Sequence, residues 1–189
     1  MDFDPNLSFE VLPGVYPPSE DSRLLLAAVD VDPGDRFLEI GTGTGIVALH
    51  AAKVARAVAT DVSPDAVRCA RRNAAVNGLS LAVVRCDLFR GLRGTFDVIA
   101  YNPPYLIERI GGDWEGRAWQ GGPTGEELVL GFLAGLPEHL PRGGRAYLVL
   151  PQGRERAIVI AQHRFHTRVV ADKPLFFEKL LAIELTVRR

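Results

Sequence analysis

Arg36-Phe-Leu-Glu-Ile-Gly-Thr-Gly-Thr-Gly-Ile-Val-Ala-Leu-His50 changes its hydrophobic rhythm at Gly41. Residues 36–40 form a short apolar run after the turn Asp32-Pro-Gly-Asp35, which predicts a buried strand. Residues 46–55 alternate alanine with larger apolar side chains, which predicts a packed helix. Between them Gly41, Gly43 and Gly45 occupy every second position. Glycine reaches positive φ without steric cost and lets a second group approach the backbone, here at a helix N-terminus. A strand, a glycine loop and a helix in that order open an α/β fold.

The rest of the chain extends the pattern in both directions. Residues 1–18 are an extended, Pro- and Gly-rich lead-in, and Ser19 caps a helix to about residue 29 with Glu20 and Asp21 in its first turn. A second strand, 57–60, ends at Asp61; Ser63-Pro64 starts a helix that stops at Asn77-Gly78. Strands follow at 81–86 and 96–101, then a long irregular stretch, 106–125, which holds Trp114 and Trp119. A helix over 126–140, a strand over 145–150, a helix over 154–163 and period-2 strands over 167–171 and 180–187 complete the chain. The predicted fold is α/β, with a seven-stranded, mostly parallel Rossmann-like sheet and helices on both faces. The connection at 172–179 is too short for a parallel crossover, so the last strand is expected to be antiparallel. Residues 1–189 are read as a single domain, with 1–35 as an extension and helix packed on it.

Composition narrows the function. The chain has 189 residues, 47% of them hydrophobic, and a net charge of −1, so no global basic field gathers nucleic acid. Cys69 and Cys86 sit in apolar patterns, which favours reduced thiols over a disulfide. Met1-Asp-Phe-Asp-Pro5 is acidic where a signal peptide is basic, and no apolar run approaches the roughly 20 residues that span a bilayer. A cytoplasmic protein without membrane segments is expected. His163-x-x-His166 is the one close histidine pair and reads as ordinary surface histidines, so no metal site is expected.

In doubly wound sheets, ligands bind at the carboxyl ends of the strands. Gly41–Gly45, Asp61, Asp87 and Asn102 all follow strand ends and converge on one edge. The loop is not a P-loop, because the Lys-Ser/Thr is missing; nor is it G-x-G-x-x-G, because Ile46 stands at the last glycine position. Glu39 would lie beside any pyrophosphate bound here, an unfavourable pairing of anions. Asp61 is placed to accept hydrogen bonds from both hydroxyls of a ribose, and Asp87 to accept from the exocyclic amine of an adenine. An adenosyl ligand with positive charge and no phosphate fits: S-adenosylmethionine.

Asn102-Pro-Pro-Tyr105 then ends the fourth strand abruptly, because proline lacks an N–H and restricts the residue before it. The Asn102 side-chain oxygen and Pro103 carbonyl offer two acceptors and Tyr105 an aromatic face, which suits a planar amine or amide. A tight turn without chemistry is the alternative. Positioning such an –NH2 in a water-poor site would supply most of the acceleration of a methyl transfer.

At these residues the chain resembles the HemK-type class I methyltransferases bearing the NPPY motif. Tyr16-Pro-Pro-Ser-Glu-Asp21, Leu38-Glu-Ile-Gly-Thr-Gly-Thr-Gly45, Asp61, Asn102-Pro-Pro-Tyr105 and Ala118-Trp-Gln-Gly-Gly122 stand in family order, over nearly the whole chain. The first and last of these look most like the archaeal and eukaryotic branch. The resemblance implies cofactor contacts from Tyr16, Glu20, Asp21, Thr42, Val62 and Leu88 beside Glu39, Gly41, Gly43, Gly45, Asp61, Asp87 and Asn102, and catalytic roles for Asn102, Pro103 and Tyr105. It implies methylation of the glutamine amide in the Gly-Gly-Gln loop of a class I peptide chain release factor. It also implies a heterodimer with a small zinc-binding activator subunit on the third-strand edge. Leu79-Ser-Leu-Ala-Val-Val84 is the candidate edge, with Val83 expected outward and Val84 toward the core; an ordinary half-buried strand is the plainer reading. NPPY is shared with enzymes that methylate adenine amines in DNA or RNA, so that acceptor stays open, as does a non-catalytic scaffold. The balanced charge weighs against nucleic acid, although Arg68, Arg71 and Arg72 form a local basic cluster.

Overall fold

The structure, a computed structural model, describes residues 1–104 and 126–188. Its strands are β1 (Arg36–Ile40), β2 (Arg56–Asp61), β3 (Ala82–Arg85), β4 (Val98–Tyr101), β5 (Arg145–Pro151), β6 (Phe165–Pro174) and β7 (Lys179–Val187). The described helices are α1 (Glu20–Ala28), α2 (Ile46–Ala51), α3 (Pro64–Val76), α4 (Glu127–His139) and α5 (Glu155–Arg164). One seven-stranded sheet runs β3-β2-β1-β4-β5-β7-β6. β1 pairs in parallel with β2 and β4, β2 with β3, and β4 with β5, while β7 lies antiparallel between β5 and β6. The expected fold class and the antiparallel last strand are both borne out.

The strands alternate sides, and each side has its own core. Phe37, Ala59, Val98, Ala100 and Tyr147 bury against α1, α2 and α3. Leu38, Ile40, Ile99, Tyr101 and Leu148 bury against α4 and α5. Asp97 ties three central strands at their starts: its carboxylate accepts from Arg36 N–H at 2.9 Å, and its carbonyl accepts from Arg145 N–H at 2.9 Å. α3 starts as its sequence dictates, with the Ser63 hydroxyl accepting from Ala66 N–H and Pro64 in the first turn.

Two predicted elements differ in extent. α2 ends at Ala51 rather than at 55, because the chain tightens there into i−3 bonds, with Lys53 N–H donating to the His50 carbonyl at 3.3 Å and Val54 N–H to the Ala51 carbonyl at 3.0 Å. β6 is longer than predicted; it begins directly after α5 and runs to Pro174, a residue tolerated at the end of an edge strand. Cys69 and Cys86 are both free and buried. Among the described residues, no helix is long and apolar enough to cross a membrane.

Candidate active site

The carboxyl ends of β1 to β4 open into a cleft of about 290 Å3. Its floor is the turn after β1, where Gly41, Gly43 and Gly45 have φ of 65°, 54° and 86°. A Cβ on Gly41 would come within 3.3 Å of the Tyr101 ring, so the turn can lie flat against β4 only with glycine there. Gly45 acts differently from its two neighbours. It does not line the cleft; a Cβ there would stand 3.2 Å from the Ala70 side chain, so this glycine seats α2 against α3.

Glu39 is buried beneath the turn. Its Oε2 accepts from the Thr42 hydroxyl at 2.6 Å and from Ala48 N–H at 2.9 Å, and burial pushes its carboxyl up to about 8 despite those donors. Asp61, at the end of β2, accepts from Gly43 N–H through Oδ2 and from Ser63 N–H through Oδ1, both at 2.9 Å. Each oxygen keeps a further lone pair. Burial raises its pKa, and the N–H donors oppose that rise. Asp21, from the first turn of α1, is buried; its Oδ2 accepts from the Tyr16 hydroxyl at 3.2 Å.

Val62, Asp87 and Leu88 line the far wall, where Leu88 holds a φ of 49°, the one non-glycine described residue with positive φ. Such conformations concentrate at ligand sites. Asn102, Pro103 and Pro104 close the near end. Asn102 Oδ1 is buried there and has no hydrogen-bond partner among the described residues. An acceptor buried without a partner costs about 1–3 kcal/mol, which makes it a place for a donor from outside the fold.

Most of the expected site residues therefore meet, with three exceptions. Gly45 packs helices. Glu20 lies outside the cleft lining, its carboxylate 2.8 Å from Lys173 Nζ. Tyr105, like Trp114, Trp119 and the Ala118–Gly122 stretch, lies outside the described residues. Sequence reasoning missed Tyr101 and Glu178, which also line the cleft. In the sequence Tyr101 reads as a strand residue, and its signal is its place one residue before Asn102. Glu178 carried no local signal, since the β6–β7 turn brings it in from a distant part of the chain.

The charge of the cleft decides what it can hold. Five carboxyl groups line it (Asp21, Glu39, Asp61, Asp87 and Glu178), of which burial holds Glu39 protonated near neutral pH, and no Lys, Arg or His among the described residues does. A pyrophosphate does not fit such a wall, whereas a cationic adenosyl ligand does. Arg68 pairs with Asp65, Arg72 pairs with Glu10, and Arg71 donates to the Val83 carbonyl at 2.7 Å, so the α3 arginines are already engaged. Among the described residues no group of His, Cys, Asp and Glu has the geometry of a metal site.

A 3-2-1-4-5-7-6 sheet with this cleft defines a class I methyltransferase that uses S-adenosylmethionine. The chain belongs to the methyltransferase small domain family, which matches residues 6–177. It is 35% identical over 187 residues to a Methanocaldococcus jannaschii protein provisionally named as a protein N5-glutamine methyltransferase, covering 94% of each chain. It is 34% identical to mouse methyltransferase HEMK2, covering 71% of each. Its fold is that of the methyltransferase in the E. cuniculi Mtq2–Trm112 complex, responsible for methylation of the eRF1 translation termination factor, with a TM-score of 0.75 at 22% identity over 93% of this chain and 99% of that one. The HemK-type resemblance read from the sequence is borne out.

The partner edge needs correcting. Val83 is 6% exposed and packs in the α1–α3 core, whereas Val84 is 43% exposed, the reverse of the expected assignment. α3 covers the face that carries Val83, and Arg71 from the same helix binds the Val83 carbonyl.

Proposed function

We propose that this enzyme methylates the side-chain amide of a protein glutamine, in the Gly-Gly-Gln loop of a class I peptide chain release factor in the cytoplasm. The observation that carries the reading is the unpartnered, buried Asn102 Oδ1 at the near end of the cleft. A primary amide has two N–H donors: one suits Asn102 Oδ1, and the Pro103 carbonyl suits the other. Held by both, the nitrogen is fixed in orientation and its lone pair is drawn out of conjugation. S-adenosylmethionine, when bound, supplies an electrophilic methyl group. Asp61 binds the ribose hydroxyls through its free lone pairs, and Asp87 and Leu88 bound the adenine. Asp21 and Glu39 face the cationic amino-acid end, whose charge favours ionisation of Glu39, with Tyr16 holding the Asp21 carboxyl in place and Thr42 that of Glu39. The methylated nitrogen is acidic and loses its proton to solvent, so no side-chain base is required. Curated relatives at 34–35% identity whose names include a protein glutamine methyltransferase support the acceptor.

A small zinc-binding subunit is the proposed partner, seated on the β3 edge, where Val84 is 43% exposed. Exposed apolar edges of this kind are docking surfaces or aggregation sites. Mass spectrometry tests the acceptor. After incubation with S-adenosylmethionine, a release factor should gain one methyl on the Gly-Gly-Gln glutamine. Methylation of a Gln→Ala release factor, or label entering DNA or RNA instead, would sink the assignment.

A further inference from the structure

The hairpin between β6 and β7 holds a feature that the chemistry above does not use. Leu175 N–H donates to the Glu178 carbonyl at 2.7 Å, which leaves Phe176 and Phe177 as the two residues at the tip. Both are 92% exposed, and their rings meet edge-on with centroids 4.6 Å apart. Short hairpin turns are ordinarily made by Gly, Asn and Asp, which reach the needed φ and prefer water. Here two large apolar rings are held out instead.

The tip is firmly mounted. Leu175 packs against the α1–α3 core, the Lys179 carbonyl accepts from Gln152 N–H at 2.7 Å, and Leu180 is buried. Lys173 pairs with Glu20 and Lys179 with Asp172, so the flanking cations are neutralised. Glu178, the next residue after the tip, lines the same cleft as Asn102 and Pro103. The aromatic pair therefore stands on the rim of the site that the acceptor must enter.

We propose that Phe176 and Phe177 dock the polypeptide flanking the acceptor glutamine while Asn102 holds its amide. This rests on the protein-glutamine reading above. Rigid aromatic side chains supply large contact area at low conformational cost. A Gly-rich loop suits them, because without Cβ atoms its peptide planes can lie against a ring. Exposed aromatics also stack on nucleobases. That occupant would bring phosphates beside Glu178 and a cleft walled by carboxylates, while Arg68, Arg71 and Arg72 are engaged elsewhere. Protein is the partner the charges favour.

The test is steady-state methylation of a full-length release factor by the full chain and its Phe176→Ser/Phe177→Ser variant. Both rings are exposed, so the variant should keep its melting temperature, its kcat and its affinity for S-adenosylmethionine. Its KM for the release factor should rise about tenfold or more, as for an aromatic hot spot, and Phe176→Tyr/Phe177→Tyr should restore it. An unchanged KM with an active wild type overturns the docking role alone. So does a loss of cofactor affinity that matches the loss of activity, or RNA binding that the serine variant abolishes. A wild type inactive on the release factor refutes the acceptor assignment, and the docking role with it.

Discussion

Asn102→Ala separates a group held for substrate from one held for the fold. The Oδ1 atom is buried and unpartnered among the described residues, so the folded state carries a desolvation cost of about 1–3 kcal/mol there. Alanine removes that cost. The packing lost is small, because Asn102 is only half-buried. The net change is expected between zero and about 2 kcal/mol of stabilisation. For a chain of 189 residues, 1 kcal/mol moves the melting temperature by about 2–4 °C, so the variant should melt at the wild-type temperature or a few degrees higher. Turnover should move the other way. Losing one pre-organised hydrogen bond to the reacting group typically costs about 10²–10³ in kcat, and poorer alignment of the nucleophile adds to that. Differential scanning calorimetry, calorimetric titration with S-adenosylmethionine and single-turnover methylation would measure the three quantities on one preparation. A melting temperature lowered by several degrees with turnover within tenfold of wild type refutes the reasoning. It would mean that Oδ1 is satisfied inside the fold and does not orient the acceptor.

Three other outcomes follow from the same geometry. Glu39, raised to about 8 by burial, is protonated in the folded state where its unfolded counterpart near 4.5 is ionised; the ligand-free protein should therefore lose stability as pH rises from about 4.5 to about 8, and Glu39→Gln should flatten that slope in pH-dependent denaturant titrations. Asp61→Ala should weaken S-adenosylmethionine binding by about 1.5–3 kcal/mol, the usual size for hydrogen bonds to a charged group, and an unchanged calorimetric affinity would remove the ribose assignment. Val84→Lys should leave the fold intact and abolish co-purification with a small zinc-binding subunit, whereas Val83→Lys places a charge in the core and should fail to yield folded protein; binding retained by the Val84 variant would move the partner elsewhere.

The sheet was legible because its signals are local. The strand, glycine turn and helix of residues 36–50 fix the first βαβ unit, and the short 172–179 connection fixes the direction of β7. The carboxylates at the ends of β1, β2 and β3 were legible for the same reason, each lying next to the strand that positions it. Asp21 and Glu178 belong to elements far apart in the chain, so no local pattern joins them to Asp61. The resemblance supplied the first, and only the fold supplied the second. The glycine pattern records where side chains are excluded, not what excludes them, so it does not separate Gly45 from Gly41. At Gly41 the neighbour is a tyrosine ring at the cleft floor, and at Gly45 it is another helix.

The β3 edge marks the limit of alternation as evidence. A period of two assigns Val83 and Val84 to opposite faces, but it does not say which face is the core. That choice belongs to α3, which returns from β2 over one side of the sheet. Its apolar residues Val67 and Ala70 join Val83 in the α1–α3 core. Arg71 then donates from both Nε and Nη2 to the Val83 carbonyl, at 3.2 Å and 2.7 Å, and so occupies an acceptor of this edge strand. A partner that paired along the whole of β3 would have to displace this guanidinium. One that packed on the Val84 side chain would not, which makes the exposed face of β3 at Val84, rather than the backbone edge at Val83, the surface where association should begin.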